Sequence, residues 1–184
     1  EDILRSYPFQ LFGGQRQRVG IARAINFQPR LLLADEPTSA LDVSVQKQAV
    51  EEMLLMRQLY GTAIVLVTHN IGVVSAMADT VLVLKDGRLQ EYGPAGQVLE
   101  NPRAEYNGVS FCLYPHETLG IVGESGSGKS TIARAVTRLV KISEGEILLK
   151  GRDITHVKGK ALRDIYRSLQ MVFQSPAASF DPRR

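Results

Sequence analysis

Apolar positions fall in two alternating patterns along this chain. Between Gln15 and Phe27 they recur at helical spacing (Val19, Ala22, Ile25) and stop before Pro29, which predicts a helix. Leu31–Ala34 is an unbroken apolar run, as in a parallel strand covered on both faces. Val43–Tyr60 returns to helical spacing at Val45, Ala49, Met53, Leu54 and Met56, with Gly61 placed as a C-cap and the methionines as core filler. A buried strand over 63–68 and a short helix through Met77 follow. Thr80–Leu84, a Lys85-Asp86-Gly87 turn and Arg88–Tyr92 read as a hairpin, and a short helix runs past Pro94 to Leu99. Asn101–Glu105 is the best junction. Beyond it the pattern predicts strands near 108–114, 118–122, 145–150 and 169–173, and helices near 129–140 and 159–167. Strands alternating with helices imply an α/β fold, a mostly parallel sheet with a smaller antiparallel layer built from 80–92, 107–114 and 145–150.

Composition narrows the class. A chain of 184 residues, 44% hydrophobic and 22% charged, has the makings of one globular core. The net charge of +3 gives no phosphate-tracking face, so a nucleic-acid partner is not expected. The single cysteine, Cys112, excludes an internal disulfide and is expected to pack within the strand 109–114. No apolar run approaches the about 18–20 residues of a membrane span, and Glu1–Arg5 has no signal-peptide pattern, so a membrane role would come through a partner. The chain starts without Met and stops shortly after a strand, which reads as a segment of something longer.

The densest chemistry is Gly123-Glu-Ser125-Gly126-Ser127-Gly128-Lys129-Ser130-Thr131. It fits G-x-x-x-x-G-K-[ST] between an apolar strand and a helix, the context of a phosphate-binding loop. Its glycines let backbone N–H groups turn inward around phosphates, Lys129 adds a point charge and the Ser130 hydroxyl would ligate Mg²⁺. Asp35 and Glu36 end a buried strand, where carboxylates need compensation. Asp35 would hold Mg²⁺ and Glu36 would polarise the attacking water. His69 follows the next strand, where open α/β sheets place ligand groups, and would contact the γ-phosphate. Gln174, at the end of the strand near 169–173, would reach Mg²⁺ or the water. Gly13-Gly14-Gln15 opens a helix and makes a second anion-friendly N-terminus.

This set resembles an ATP-binding-cassette (ABC) ATPase, with phosphate loop 123–131, Gln174, signature loop 11–15, acidic strand 31–36, D-loop 39–42 and switch His69. The flanking Tyr7–Leu11, Ala34–Val43 and Met171–Pro182 are similar to bacterial dipeptide/oligopeptide and nickel importer ATPases. The resemblance implies a P-loop (RecA-like) core and binding of ATP and Mg²⁺. It also implies a head-to-tail dimer in which Gly13, Gly14, Gln15 and Asp42 touch the nucleotide of the opposite subunit. Membrane permeases would be its partners, and it would sit peripherally on the cytoplasmic face of the bacterial inner membrane, driving solute import, with a peptide expected as the solute.

Against that family the chain differs in four ways. Its blocks 1–103 and 104–184 stand in swapped order, expected of either a circular permutant or the tail and head of tandem cassettes. The helical subdomain between Gln174 and the signature is largely missing. Phe12 replaces the signature serine, and His116 stands where the family favours Gly. Tyr106 is the aromatic nearest the expected adenine platform. Two other readings remain open on sequence: a nucleotide-binding fragment without turnover, and a DNA-repair-type ABC ATPase.

Overall fold

The computed structural model describes residues 7, 10–39, 41–100 and 109–174. In chain order these form α1 (Gly13–Asn26), β1 (Leu31–Asp35), α2 (Val43–Tyr60), β2 (Ala63–Val67), α3 (Ile71–Met77), β3 (Thr80–Lys85), β4 (Arg88–Pro94) and α4 (Ala95–Glu100). After residue 108 come β5 (Thr118–Gly123), α5 (Lys129–Val136), β6 (Leu148–Leu149), β7 (Arg152–Asp153), α6 (Gly159–Ser168) and β8 (Leu169–Val172). One six-stranded sheet runs β4-β3-β5-β2-β1-β8, parallel throughout except for β4. Strands from the two halves of the sequence interleave: β5 lies between β3 and β2, and β8 flanks β1.

The continuous apolar runs read as doubly covered strands, and they are. Leu32, Ala34, Ile64 and Leu66 pack on one face with Met53 and Met56 of α2 and with α1 and α3. Leu33, Val65, Val67, Leu82, Leu119 and Ile121 pack on the other with Ala133 of α5. The register aligns the C-terminal ends of four strands, since Asp35 pairs with Val67, Val67 with Ile121 and Leu84 with Gly123. Every motif residue of the acidic strand, the His69 strand and the phosphate loop therefore emerges at one edge of the sheet.

The antiparallel layer is smaller than the pattern predicts. The 80–92 hairpin belongs to the main sheet, and among the described residues the second sheet consists of β6 and β7, two residues each. Residues 109–114 keep the expected alternation, with Phe111 and Leu113 turned toward the core, but among the described residues no neighbouring strand offers them a ladder. Cys112, on the outward side of that alternation, is exposed rather than packed. The helix expected to reach residue 140 stops at Val136. There the Thr137 hydroxyl donates to the carbonyls of Ala133 and Arg134, and Arg138 turns left-handed (φ 62°). His116 does adopt positive φ (66°), and its ring packs over Gly61, the left-handed C-cap of α2. The seam at 103–105 and Tyr106 lie outside the described residues.

Phe12 occupies the N-cap of α1 in extended conformation, 78% exposed, and its N–H donates to the Gln15 side chain at 3.0 Å. A phenyl ring cannot accept from the free N–H groups of the first turn, whereas a hydroxyl there would. Phe12→Ser is therefore expected to stabilise the protein by about 1 kcal/mol, read as a higher urea midpoint.

Candidate functional site

The phosphate loop is a backbone device. Gly123 (φ 154°), Gly126 (φ 83°) and Gly128 (φ 94°) all take conformations that L side chains avoid. At Gly123 there is also no room: a Cβ would lie 2.2 Å from the Leu84 carbonyl oxygen. Gly128 caps α5, so the loop delivers its N–H groups to a helix N-terminus. Lys129 is buried, and its ammonium donates to the carbonyls of Gly123 and Glu124, each at 2.7 Å, which folds it against the loop. Ser127 is buried, and its hydroxyl has no hydrogen-bond partner among the described residues. Ser125, Gly126 and Thr131 face solvent.

Opposite the loop, the Ser130 hydroxyl donates to Asp35 Oδ1 at 2.9 Å. Asp35 is almost wholly buried. Burial pushes its carboxyl above the ordinary carboxylate value, and the neighbouring Glu36 charge pushes the same way. The Ser130 hydrogen bond opposes this, as do the positive charges of Arg134 and Lys129. Glu36 lies one residue beyond β1 in a left-handed turn (φ 49°), a conformation costing a non-glycine residue about 1–2 kcal/mol and held here by its N–H donating to Val67 O. That turn aims the carboxylate at the end of β2. Oε1 accepts from the His69 backbone N–H at 3.1 Å and pairs with the His69 ring Nδ1 at 2.7 Å. Oε2 accepts from the Thr68 hydroxyl at 3.3 Å. Gln174 is exposed just beyond β8, the strand beside β1.

Ser130, Lys129, Asp35, Glu36 and His69 thus gather at one sheet edge. The signature residues do not join them. Gly13, Gly14 and Gln15 form the first turn of α1, and no hydrogen bond links them to the phosphate loop among the described residues. Asp42 caps α2, accepting from the Ser44 hydroxyl (2.7 Å) and the Val45 N–H (3.0 Å), which together hold its carboxyl below the ordinary value. Thr68 escaped the sequence reading. Its signal was a buried hydroxyl at a strand end, one residue before His69, which no spacing rule singles out.

A profile of the ABC transporter family matches residues 1–39 and 106–183. The chain belongs to that family. Among curated proteins it is 32% identical to the glutathione import ATP-binding proteins GsiA of Pectobacterium atrosepticum and Salmonella typhimurium, over 99% of this chain and 41% of theirs. It is equally similar to GsiA of Escherichia coli K12, over 100% of this chain and 42% of that protein. The chain therefore spans about two-fifths of the length of these relatives. The match runs over 258 residues, more than the 184 of this chain, so the relatives carry extra positions inside it. Among the described residues no helix is long and apolar enough to cross a membrane.

Two outcomes follow from the geometry. Because folding raises the Asp35 pKa, the native state binds a proton more readily than the unfolded chain. The stability this provides is full below the unfolded value near 3.8 and is lost as pH rises through the raised native value. At neutral pH the buried carboxylate therefore costs stability, and Asp35→Asn should raise the melting temperature of the nucleotide-free protein. Thr68→Val keeps shape but removes a donor to Glu36, so in an ATP-turnover assay it should lower kcat about tenfold to a hundredfold with KM unchanged, in line with the loss of one hydrogen bond to a charged group. Thr68→Ser should restore the rate in the same steady-state assay.

Proposed function

We propose that blocks 1–103 and 104–184 build one nucleotide site that binds Mg²⁺·ATP and hydrolyses it to drive import of a peptide-like solute. The observation that carries this reading is the Ser130–Asp35 hydrogen bond, which brings the phosphate-loop hydroxyl to the acidic strand's carboxylate across 95 residues of sequence. The residues present suit a polyphosphate. The Ser127 hydroxyl, unpartnered among the described residues, the Lys129 ammonium and three glycines of positive φ all lie on one loop.

Asp35, Ser130 and Gln174 would hold the divalent ion. Among the described residues there is no cluster of three or more His, Cys, Asp or Glu, so the remaining ligands would be phosphate and water oxygens, the habit of Mg²⁺. Bound there, the ion supplies positive charge for the phosphate oxygens. Glu36 orients the attacking water, and His69 and Thr68 fix the carboxylate that does so. His69, with its ring largely exposed, would also meet the γ-phosphate.

The glutathione import function of the GsiA relatives supports a small peptide as the solute. A permease and a second ATPase subunit would complete the machine at the cytoplasmic face of the bacterial inner membrane. Gly13, Gly14, Gln15 and Asp42 would serve the opposite subunit in a head-to-tail dimer. The relatives' single match across both blocks supports a tandem-cassette origin over a circular permutation.

Glu36→Gln tests the assignment. ATP affinity should stay within about twofold while turnover falls by roughly 10²-fold or more, the usual share of a general base. Unchanged turnover would remove Glu36 from the chemistry.

A further inference from the structure

The β3–β4 hairpin turns directly against the phosphate loop. Asp86 (φ 49°) and Gly87 (φ 75°) are both left-handed, the two-residue turn that suits the twist of a hairpin, and they set Lys85 opposite Arg88. The Gly87 N–H donates to the Ser127 carbonyl at 3.2 Å. Its Cα lies 3.7 Å from where a Cβ on Gly128 would stand. One residue before Lys85, the Leu84 carbonyl fills the space a side chain at Gly123 would need. The hairpin therefore meets the loop at Gly123 through Leu84 of β3, and at Ser127 and Gly128 through Gly87.

Lys85 and Arg88 are exposed, and neither has an ion pair among the described residues. Asp86 at the turn itself and Glu124 in the loop are exposed as well. We propose that this turn is a second recognition element for the polyphosphate: Gly87 braces the loop through its backbone, and Lys85 and Arg88 raise the positive potential at its rim. The inference rests on the nucleotide-site reading above. The physics is that of a charged cleft, in which fixed cations at a rim raise the local concentration of an anionic ligand and lose effect as salt screens them.

The test uses the purified full chain, with binding of ATP and of inorganic tripolyphosphate measured at low and high salt. Neutralising both cations (Lys85→Ala with Arg88→Ala) should weaken both ligands about fivefold at low salt, with the difference shrinking at high salt as screening demands. Asp86→Asn keeps a residue that tolerates the left-handed turn and should shift affinity the other way. The exchange Lys85→Arg with Arg88→Lys should leave binding unchanged, and removing Lys160 and Arg163 on α6 should do nothing. Lys129→Ala separates the two readings. If Lys129→Ala abolishes binding while the double neutralisation leaves it intact, the turn plays no such role and the nucleotide site stands. If Lys129→Ala binds normally, the nucleotide-site reading itself fails. Weakened binding in the double variant without the opposite shift in Asp86→Asn would also overturn the proposal, because a structural fault does not follow the sign of charge.

Discussion

The insertion of β5 between β3 and β2 is the constraint on which the site depends. Ladder bonds to both neighbours fix Gly123 level with Leu84 and Ile121 level with Val67. That register sets the height at which the phosphate loop leaves the sheet. A slip of one residue would turn every β5 side chain to the opposite face and lift the loop away from Asp35. The contact between Ser130 and Asp35, and the brace from Gly87 to Ser127, are both consequences of this one pairing. At the far end of β5 the same strand is pinned by Arg57 and Asp79. Arg57 donates to Asp79 (2.7 Å) and to the Thr118 hydroxyl (3.0 Å), while Asp79 accepts from the Thr118 N–H at 2.7 Å.

Against this frame the acidic pair divides its labour by environment. Asp35, buried at the end of β1, accepts from the Ser130 hydroxyl and lies in the field of Arg134 and Lys129. Glu36, one residue on, leaves the strand through a left-handed turn and meets donors from Thr68 and His69, just beyond β2, instead. Adjacent carboxylates thus face different partners because one backbone angle separates them.

Much of this was legible in the chain. The unbroken apolar runs 31–34 and 63–67 announced doubly covered parallel strands, and Gly61 marked the end of α2, because burial and left-handed backbone leave clear residue signatures. The strand, glycine turn and helix over 118–136 and the burial of Asp35 were legible because each leaves a local residue signature. What the sequence concealed was pairing. The alternation at 109–114 looks like a strand, yet a strand also needs a neighbour, and alternation says nothing about that. Cys112 was misplaced because it falls on the outward side of that alternation. The end of α5 was hidden because Arg138 supplies the left-handed residue where Gly is usual. The roles of Thr68 and Gly87 arise from contacts across the sheet edge, which no local spacing encodes.

The central claim is that residues from both halves of the sequence serve one nucleotide. Amide hydrogen exchange with and without Mg²⁺·ATP tests it most directly. The account predicts slowed exchange at 123–131 together with 35–36, 68–69 and the 85–88 turn. Protection confined to 123–131, with the other segments unchanged, would contradict it.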